Sequence, residues 1–270
     1  MRFGWPLLLL LGGCSGQPTI APGGILSNNP CIDSVLAEIA APGQIGAVSI
    51  YSHDPNSSSA PLAWAQSLPA IGTSAEEIIA ARPALLLTGN LASNGTNAAL
   101  DKAGVKSVAM GVPATVEESI AQVRVIAKAI EREEAGEVLV ARIKAAVNLP
   151  LPSGQESKPT TIIWQTGGFV AGRGTLQDEL LARAGYANAS AIYGLKQWGI
   201  LPLETLIRKP PTIIFMPRSA KGDDARALKM RKDVLRHLAG RTRIVDFPDK
   251  LLFCGGPTII KVMELMRSAR

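Results

Sequence analysis

The residues of this 270-residue chain that could do chemistry are few. The whole chain holds two histidines, His53 and His237, too few imidazoles for a His-rich transition-metal site. No GxSxG elbow and no HExxH helix is present, which removes the familiar hydrolytic arrangements, and Cys31 has no local signature that would pair it with a histidine. The segment Gly167-Gly168-Phe169-Val170-Ala171-Gly172-Arg173-Gly174 sits between an apolar strand and a helix expected from near Thr175, yet it has neither the GxGxxG order nor a GKS/GKT ending. It reads as a flexible loop at the carboxyl end of a strand, where α/β proteins keep ligands. No catalytic residue and no resident cofactor is expected, and the chain does not read as an enzyme.

What remains is aromatic and apolar. Trp164 and Phe169 flank Gly167-Gly168, Tyr193 and Trp198 flank a polar stretch, and Tyr51 follows a short apolar run. Aromatic side chains on loops or strand ends can stack on a flat or bulky ligand, each burying roughly 150 to 250 Å²; the same rings could instead cover core or plug a junction between lobes. Trp198, Phe169, Tyr51 and Trp164 are the candidate contacts.

The elements that must position these residues follow from apolar spacing. Hydrophobic residues make up 47% of the chain and charged ones 19%, which excludes a disordered polymer. Ile25-Leu26-Ser27 reads as a strand, Asp33 to Ala40 as a helix, and Ile45 to Ile50 as a second strand. Short apolar strands alternating with amphipathic helices predict parallel sheets covered on both faces. Residues 74–87 (SAEEIIAARPALLL) and 202–215 (PLETLIRKPPTIIF) then repeat one unit at an offset of 128: Glu76 meets Glu204, Pro83 meets Pro211, and the apolar positions coincide. The unit is a short helix stopped ahead of proline and followed by an apolar strand. One unit per half predicts two similar lobes.

Between them, Thr115 to Val147 reads as two helices meeting near Glu131 to Glu133, the second crossing between lobes. The expected organisation is a signal and lipobox over 1–14, a tether over 15–24, an N-terminal lobe over 25–131, a connecting helix over 132–150 and a C-terminal lobe over 151–270. Thr160 to Trp164 and Arg243 to Phe247 are expected strands; Ala225 to Leu238 and Thr258 to Arg267 are expected helices.

The start of the chain, MRFGWPLLLLLGGCS, has one positive charge, an apolar run and small residues before Cys14, the pattern of an export leader. Leu11-Gly12-Gly13-Cys14 fits a lipobox, with Cys14 as the lipid-attachment residue; another export signal or a buried N-terminal helix are the other readings. Leu7 to Leu11 is far shorter than the roughly 20 apolar residues that span a bilayer. An oxidising compartment would permit Cys31 and Cys254 to form a disulfide. Net charge is +6. The basic run Arg218 to Arg243 could meet acidic lipid head groups or nucleic acid, or be a solvated helix face; no nucleic-acid motif accompanies it.

Ile25-Leu26-Ser27-Asn28-Asn29-Pro30-Cys31-Ile32-Asp33, Ala47 to Pro55, the two Glu-to-Pro units and Cys254-Gly255-Gly256-Pro257-Thr258, taken in order, resemble the periplasmic binding-protein family for iron chelates and cobalamin over about residues 24–268. The resemblance implies an α/β fold of two Rossmann-like lobes joined by a long interlobe helix, with a ligand cleft between the lobes. It implies a monomeric, periplasmic receptor that passes a metal chelate, cobalamin or a ferric siderophore, to an ABC permease in the inner membrane. A heme receptor with Tyr51 as axial ligand, or a tethered sensor or scavenger, is the alternative. By the same resemblance Glu76 and Glu204 dock onto permease arginines, and Tyr51, Phe169, Trp198 and the loop before Cys254 line the cleft. Arg173, Lys196 and Lys250 become loose candidates for an anionic chelate. Where cobalamin-binding members carry tryptophans beside the first Glu-to-Pro unit, this chain has Ala70 and Gly89. Cys31 and Cys254 fall beside cleft motifs of opposite lobes, either bonded or as separate thiols.

Overall fold

The computed structural model describes residues 20–90, 94–151, 157–218 and 225–270. Cys14, the lipobox and residues 15–19 of the tether lie outside the described residues.

The first lobe runs β1 (Ile25–Ser27), α1 (Pro30–Ile39), β2 (Ile45–Ser49), α2 (Leu62–Gln66), β3 (Ala70–Ile71), α3 (Ala75–Ala81), β4 (Leu85–Gly89), α4 (Asn94–Lys102) and β5 (Ser107–Met110). Its sheet has the order β3-β2-β1-β4-β5 with every pair parallel. α5 (Val116–Ala129) and α6 (Glu133–Asn148) follow. The second lobe runs β6 (Thr160–Ile163), β7 (Phe169–Ala171), α7 (Leu176–Arg183), β8 (Ala187–Asn188), β9 (Trp198–Ile200), α8 (Leu203–Arg208), β10 (Ile213–Met216), α9 (Ala225–Leu238), β11 (Arg243–Asp246) and α10 (Thr258–Ser268). Its parallel sheet has the order β11-β10-β6-β8. Matching β1 with β6 and β4 with β10 superposes the two strand orders.

The internal repeat holds at the level of packing. α3 starts at Ala75 and α8 at Leu203; β4 starts at Leu85 and β10 at Ile213, so the offset of 128 read from the sequence fits both elements. Side chains alternate across a strand, and Leu86 and Ile214 accordingly belong to the outer cores of their lobes, while Leu87 and Phe215 face a shared inner core. That inner core is continuous from Ile32 and Leu36 of α1, through Ile120 and Ile126 of α5 and Leu139 and Ile143 of α6, to Phe215, Phe247 and Met266.

The crossing helix is shorter than expected. Glu131 takes a left-handed φ of 55°, and the Arg132 amide reaches the Ala127 carbonyl at 2.8 Å, closing α5 before α6 begins at Glu133. Both acids of the first turn, Glu133 and Glu134, sit where the helix dipole favours negative charge. At 16 residues α6 is about 24 Å long. It packs on α1 of the first lobe and on α7 and α10 of the second. Gly136 permits its close approach to α5, since a Cβ there would stand 2.5 Å from that of Ala127.

Candidate binding cleft

The first-lobe wall is built on a buried carboxylate. Asn29 caps α1, its Oδ1 accepting from the amides of Cys31 at 2.8 Å and Ile32 at 3.3 Å, and Pro30 begins the helix. This start, earlier than the expected Asp33, brings the fully buried Asp33 under the end of β2. Its Oδ2 accepts from the Ser49 amide at 2.9 Å and the Ser52 hydroxyl at 2.5 Å. Burial pushes the Asp33 carboxyl up to about 7, against the opposing pull of the Ser27 and Ser52 hydroxyls and the Ser49 amide. So anchored, residues Ile50–His53 turn as a short 3-10 helix and leave Ile50 and Tyr51 half exposed. The strand expected to reach Ile50 therefore ends at Ser49, whose own hydroxyl accepts from the Tyr51 amide.

The second-lobe wall is an antiparallel ribbon. The segment expected to be a flexible loop supplies β7, which pairs with β9: Phe169 lies opposite Ile200, and Ala171 opposite Trp198. Directly opposed residues share a face, so Phe169, Ile200 and Trp198 stand together on the face away from buried Val170, each about half exposed. Gly172 is required at the ribbon's end, because a Cβ there would fall 2.1 Å from the Lys196 carbonyl oxygen. Trp164 does not join them. It is 3% exposed in the outer core, with the Arg231 guanidinium 4.8 Å from its ring centre and donating to the Gln165 carbonyl at 2.8 Å. The structure thus moves Trp164 from the expected cleft wall to the interior of the lobe: β6 carries it inward, and α9 lays an arginine over it.

The floor is the segment between β11 and α10, which touches both lobes. Lys250 Nζ donates to the Pro55 carbonyl at 3.2 Å, and the Ser59 hydroxyl donates to the Lys250 carbonyl at 2.6 Å. Thr166 bonds Asp249, and the Gly256 amide donates to Ser119 Oγ at 2.7 Å. Cys254 is joined to Cys31 by a disulfide, with Cα atoms 5.0 Å apart, linking the floor to the first turn of α1. Next to it Phe253, 54% exposed, borders three cavities. One, about 630 Å³, lies between the Asp54 to Ser57 loop and Arg218, Asp246, Asp249 and Lys250. Another, about 200 Å³, lies between Val112 to Ala114 of the first lobe and Gln177 and Trp198 of the second. The third, about 60 Å³, enters the first lobe.

Of the residues singled out from sequence, the structure gathers Trp198, Lys250, Cys31 and Cys254 around Phe253. Tyr51 and Phe169 are half exposed on the two walls but line none of these cavities, and Arg173 and Lys196 are exposed outside them. Glu76 and Glu204 are exposed in the first turns of α3 and α8. Phe253 belongs to the loop before Cys254 that the family resemblance set on the cleft, though it was not named; Ile200 and the Asp54 to Ser57 loop were not singled out as contacts. Phe253 had a signal in its place beside Cys254, whereas Ile200 becomes visible only through its pairing with Phe169. Among the described residues no group of three or more His, Cys, Asp or Glu could hold a metal ion, and no helix is long and apolar enough to cross a membrane.

Two parallel-sheet lobes, a helix crossing between them and an open cleft with apolar walls define a bilobal binding protein. The chain belongs to the periplasmic binding protein family, whose model matches residues 25–240; its members bind solutes and are not enzymes. No curated protein sequence matches it significantly. Among solved structures it is similar to the periplasmic heme-binding protein RhuT from Roseiflexus sp. RS-1, at 22% identity and a TM-score of 0.69 over 92% of this chain and 99% of that one. It is also similar to the periplasmic heme-binding protein HutB of Vibrio cholerae, at 17% identity and a TM-score of 0.74 over 92% of this chain and 98% of that one. A periplasmic heme-binding protein from Pseudomonas aeruginosa matches at 21% identity and a TM-score of 0.68, over 92% of each chain.

Proposed function

We propose that this protein is the receptor of an ABC importer, taking up a large metal chelate, cobalamin or a ferric siderophore, in the cleft and delivering it unchanged to the permease. The observation that carries the reading is the half-exposed Phe253 at the meeting point of three cavities, with the half-exposed Trp198 bordering one of them. Large apolar rings left in a concave, water-filled site gain free energy only when something flat or bulky covers them. Glu76 and Glu204, exposed at equivalent helix starts, are the docking residues for permease arginines. Cys14 is the lipid-attachment residue that tethers the receptor to a membrane.

Heme is the second reading, favoured by the exposed Tyr51 phenol and by the heme-binding proteins among the similar structures. Titration of tryptophan fluorescence with cyanocobalamin, hemin, a ferric hydroxamate and a ferric catecholate tests both. Saturable binding of a chelate recovered unaltered is the expected result. Absence of binding by all four overturns the proposal.

A further inference from the structure

The cavity that enters the first lobe has a chemical character of its own. No ionisable side chain lines it: apolar Ile32 and Val35 of α1 and Val123 and Ile126 of α5 share its wall with neutral polar Asn29, Asn90, Ser119 and Gln122, and the half-exposed Phe253 borders it. At about 60 Å³ it has room for roughly four water-sized groups. Residue 89 on its wall is glycine, and a Cβ there would stand 2.8 Å from Asn29 Nδ2. The orientation of that amide is fixed from the other side. Asn29 Oδ1 is committed to capping α1, so Nδ2 is the atom presented toward Gly89. Gln122 is likewise held, its Nε2 donating to the Gly111 carbonyl at 2.9 Å.

A pocket with a pre-aimed amide donor and no charge suits a neutral group that accepts hydrogen bonds. It penalises a carboxylate, which would lose its hydration without meeting a cation. We infer that this cavity is a subsite for an uncharged, carbonyl-terminated side arm of the chelate, such as a carboxamide or hydroxamate arm, received past Phe253 and met by Asn29 Nδ2. The inference rests on the receptor function proposed above and selects, among metal chelates, those with neutral arms over those with carboxylate arms.

Two variants test it. Asn29→Asp keeps an N-cap oxygen while replacing the donor with a carboxylate, and Gly89→Ala places a methyl against the amide. With cyanocobalamin and a ferric hydroxamate as neutral-armed probes and hemin as the carboxylate-armed one, wild-type protein is expected to bind at least one neutral-armed probe. Both variants should weaken that binding tenfold or more, while melting temperature, and hemin affinity where it is measurable, change little. Should Gly89→Ala fail to fold, Asn29→Asp alone decides. Variants that bind the neutral-armed probe as wild type does, or wild-type protein that binds hemin alone, would overturn the subsite while leaving the receptor function standing. Wild-type protein that binds none of the probes would instead defeat the receptor function itself.

Discussion

Replacing Cys31 and Cys254 together by serine removes a cross-link that spans 223 residues of sequence. Because a disulfide acts mainly on the unfolded chain, its effect does not depend on how firmly the native lobes already pack. For a loop this long, lost chain entropy gives about 5 kcal/mol as an upper figure, and measured values commonly fall to about 3. Serine fits the native site: Cys254 is 5% exposed, and the Ser59 hydroxyl 3.4 Å from its sulfur offers the new hydroxyl a partner. Urea unfolding followed by tryptophan fluorescence should show a lower midpoint and a steeper slope, since an unlinked chain expands further. The melting temperature should fall by roughly 6 to 10 °C. Reducing the wild-type protein should reproduce both changes, and adding reductant to the double variant should change nothing further. A stability loss below about 1 kcal/mol, with the slope unaltered, would refute the reasoning.

Charge reversal of the two carboxylates proposed to dock, Glu76→Lys with Glu204→Lys, should leave folding and ligand affinity intact because both side chains are exposed. It should abolish uptake through the permease, each buried anchor being worth roughly 2 to 5 kcal/mol; transport at the wild-type rate would remove these residues from the interface. Trp198→Ala should weaken binding of the preferred chelate by about 2 kcal/mol, roughly 30-fold, in a fluorescence or calorimetric titration, and an unaltered affinity would take the ring out of the site. Asp33, with its carboxyl pushed up to about 7 in the fold from 3.8, retains a proton that the unfolded chain gives up above about pH 4. The stability it contributes is full below about pH 4 and is lost as pH rises through about 7. Asp33→Asn should therefore flatten the fall in melting temperature between pH 5 and pH 8, and identical slopes in the two proteins would count against a buried, proton-bearing Asp33.

The parts of the fold legible in sequence are those whose signal is local. The Glu-to-Pro units named α3, β4, α8 and β10 because proline stops a helix at a fixed place and the apolar run after it must be buried. Ala225–Leu238, read as a basic helix, keeps both of its expected ends, and Glu133 and Glu134 marked the start of α6. What was hidden depends on partners distant in the chain. β7 is three residues long and counts as a strand only because Trp198–Ile200 comes to lie beside it. The same distance conceals Trp164: its neighbours Gly167 and Gly168 suggest an open loop, and nothing near it announces that Arg231 will cover it. The cleft was legible as aromatic candidates on both walls and, through the family resemblance, as the loop before Cys254; the exposed ring of Phe253 was not, because it owes its place to a segment held by Ser119, Ser59 and Cys31 at once.

Phe169 and Trp198 are carried on hydrogen-bonded strands, so the second wall is one plate instead of two separate rings. Its root is fixed: the Gln165 amide donates to the Phe169 carbonyl at 2.8 Å, Trp164 pairs with Val170, and Val170 and Ala171 are fully buried. A guest would therefore find the two rings at a set spacing, and its breadth would decide whether it covers both.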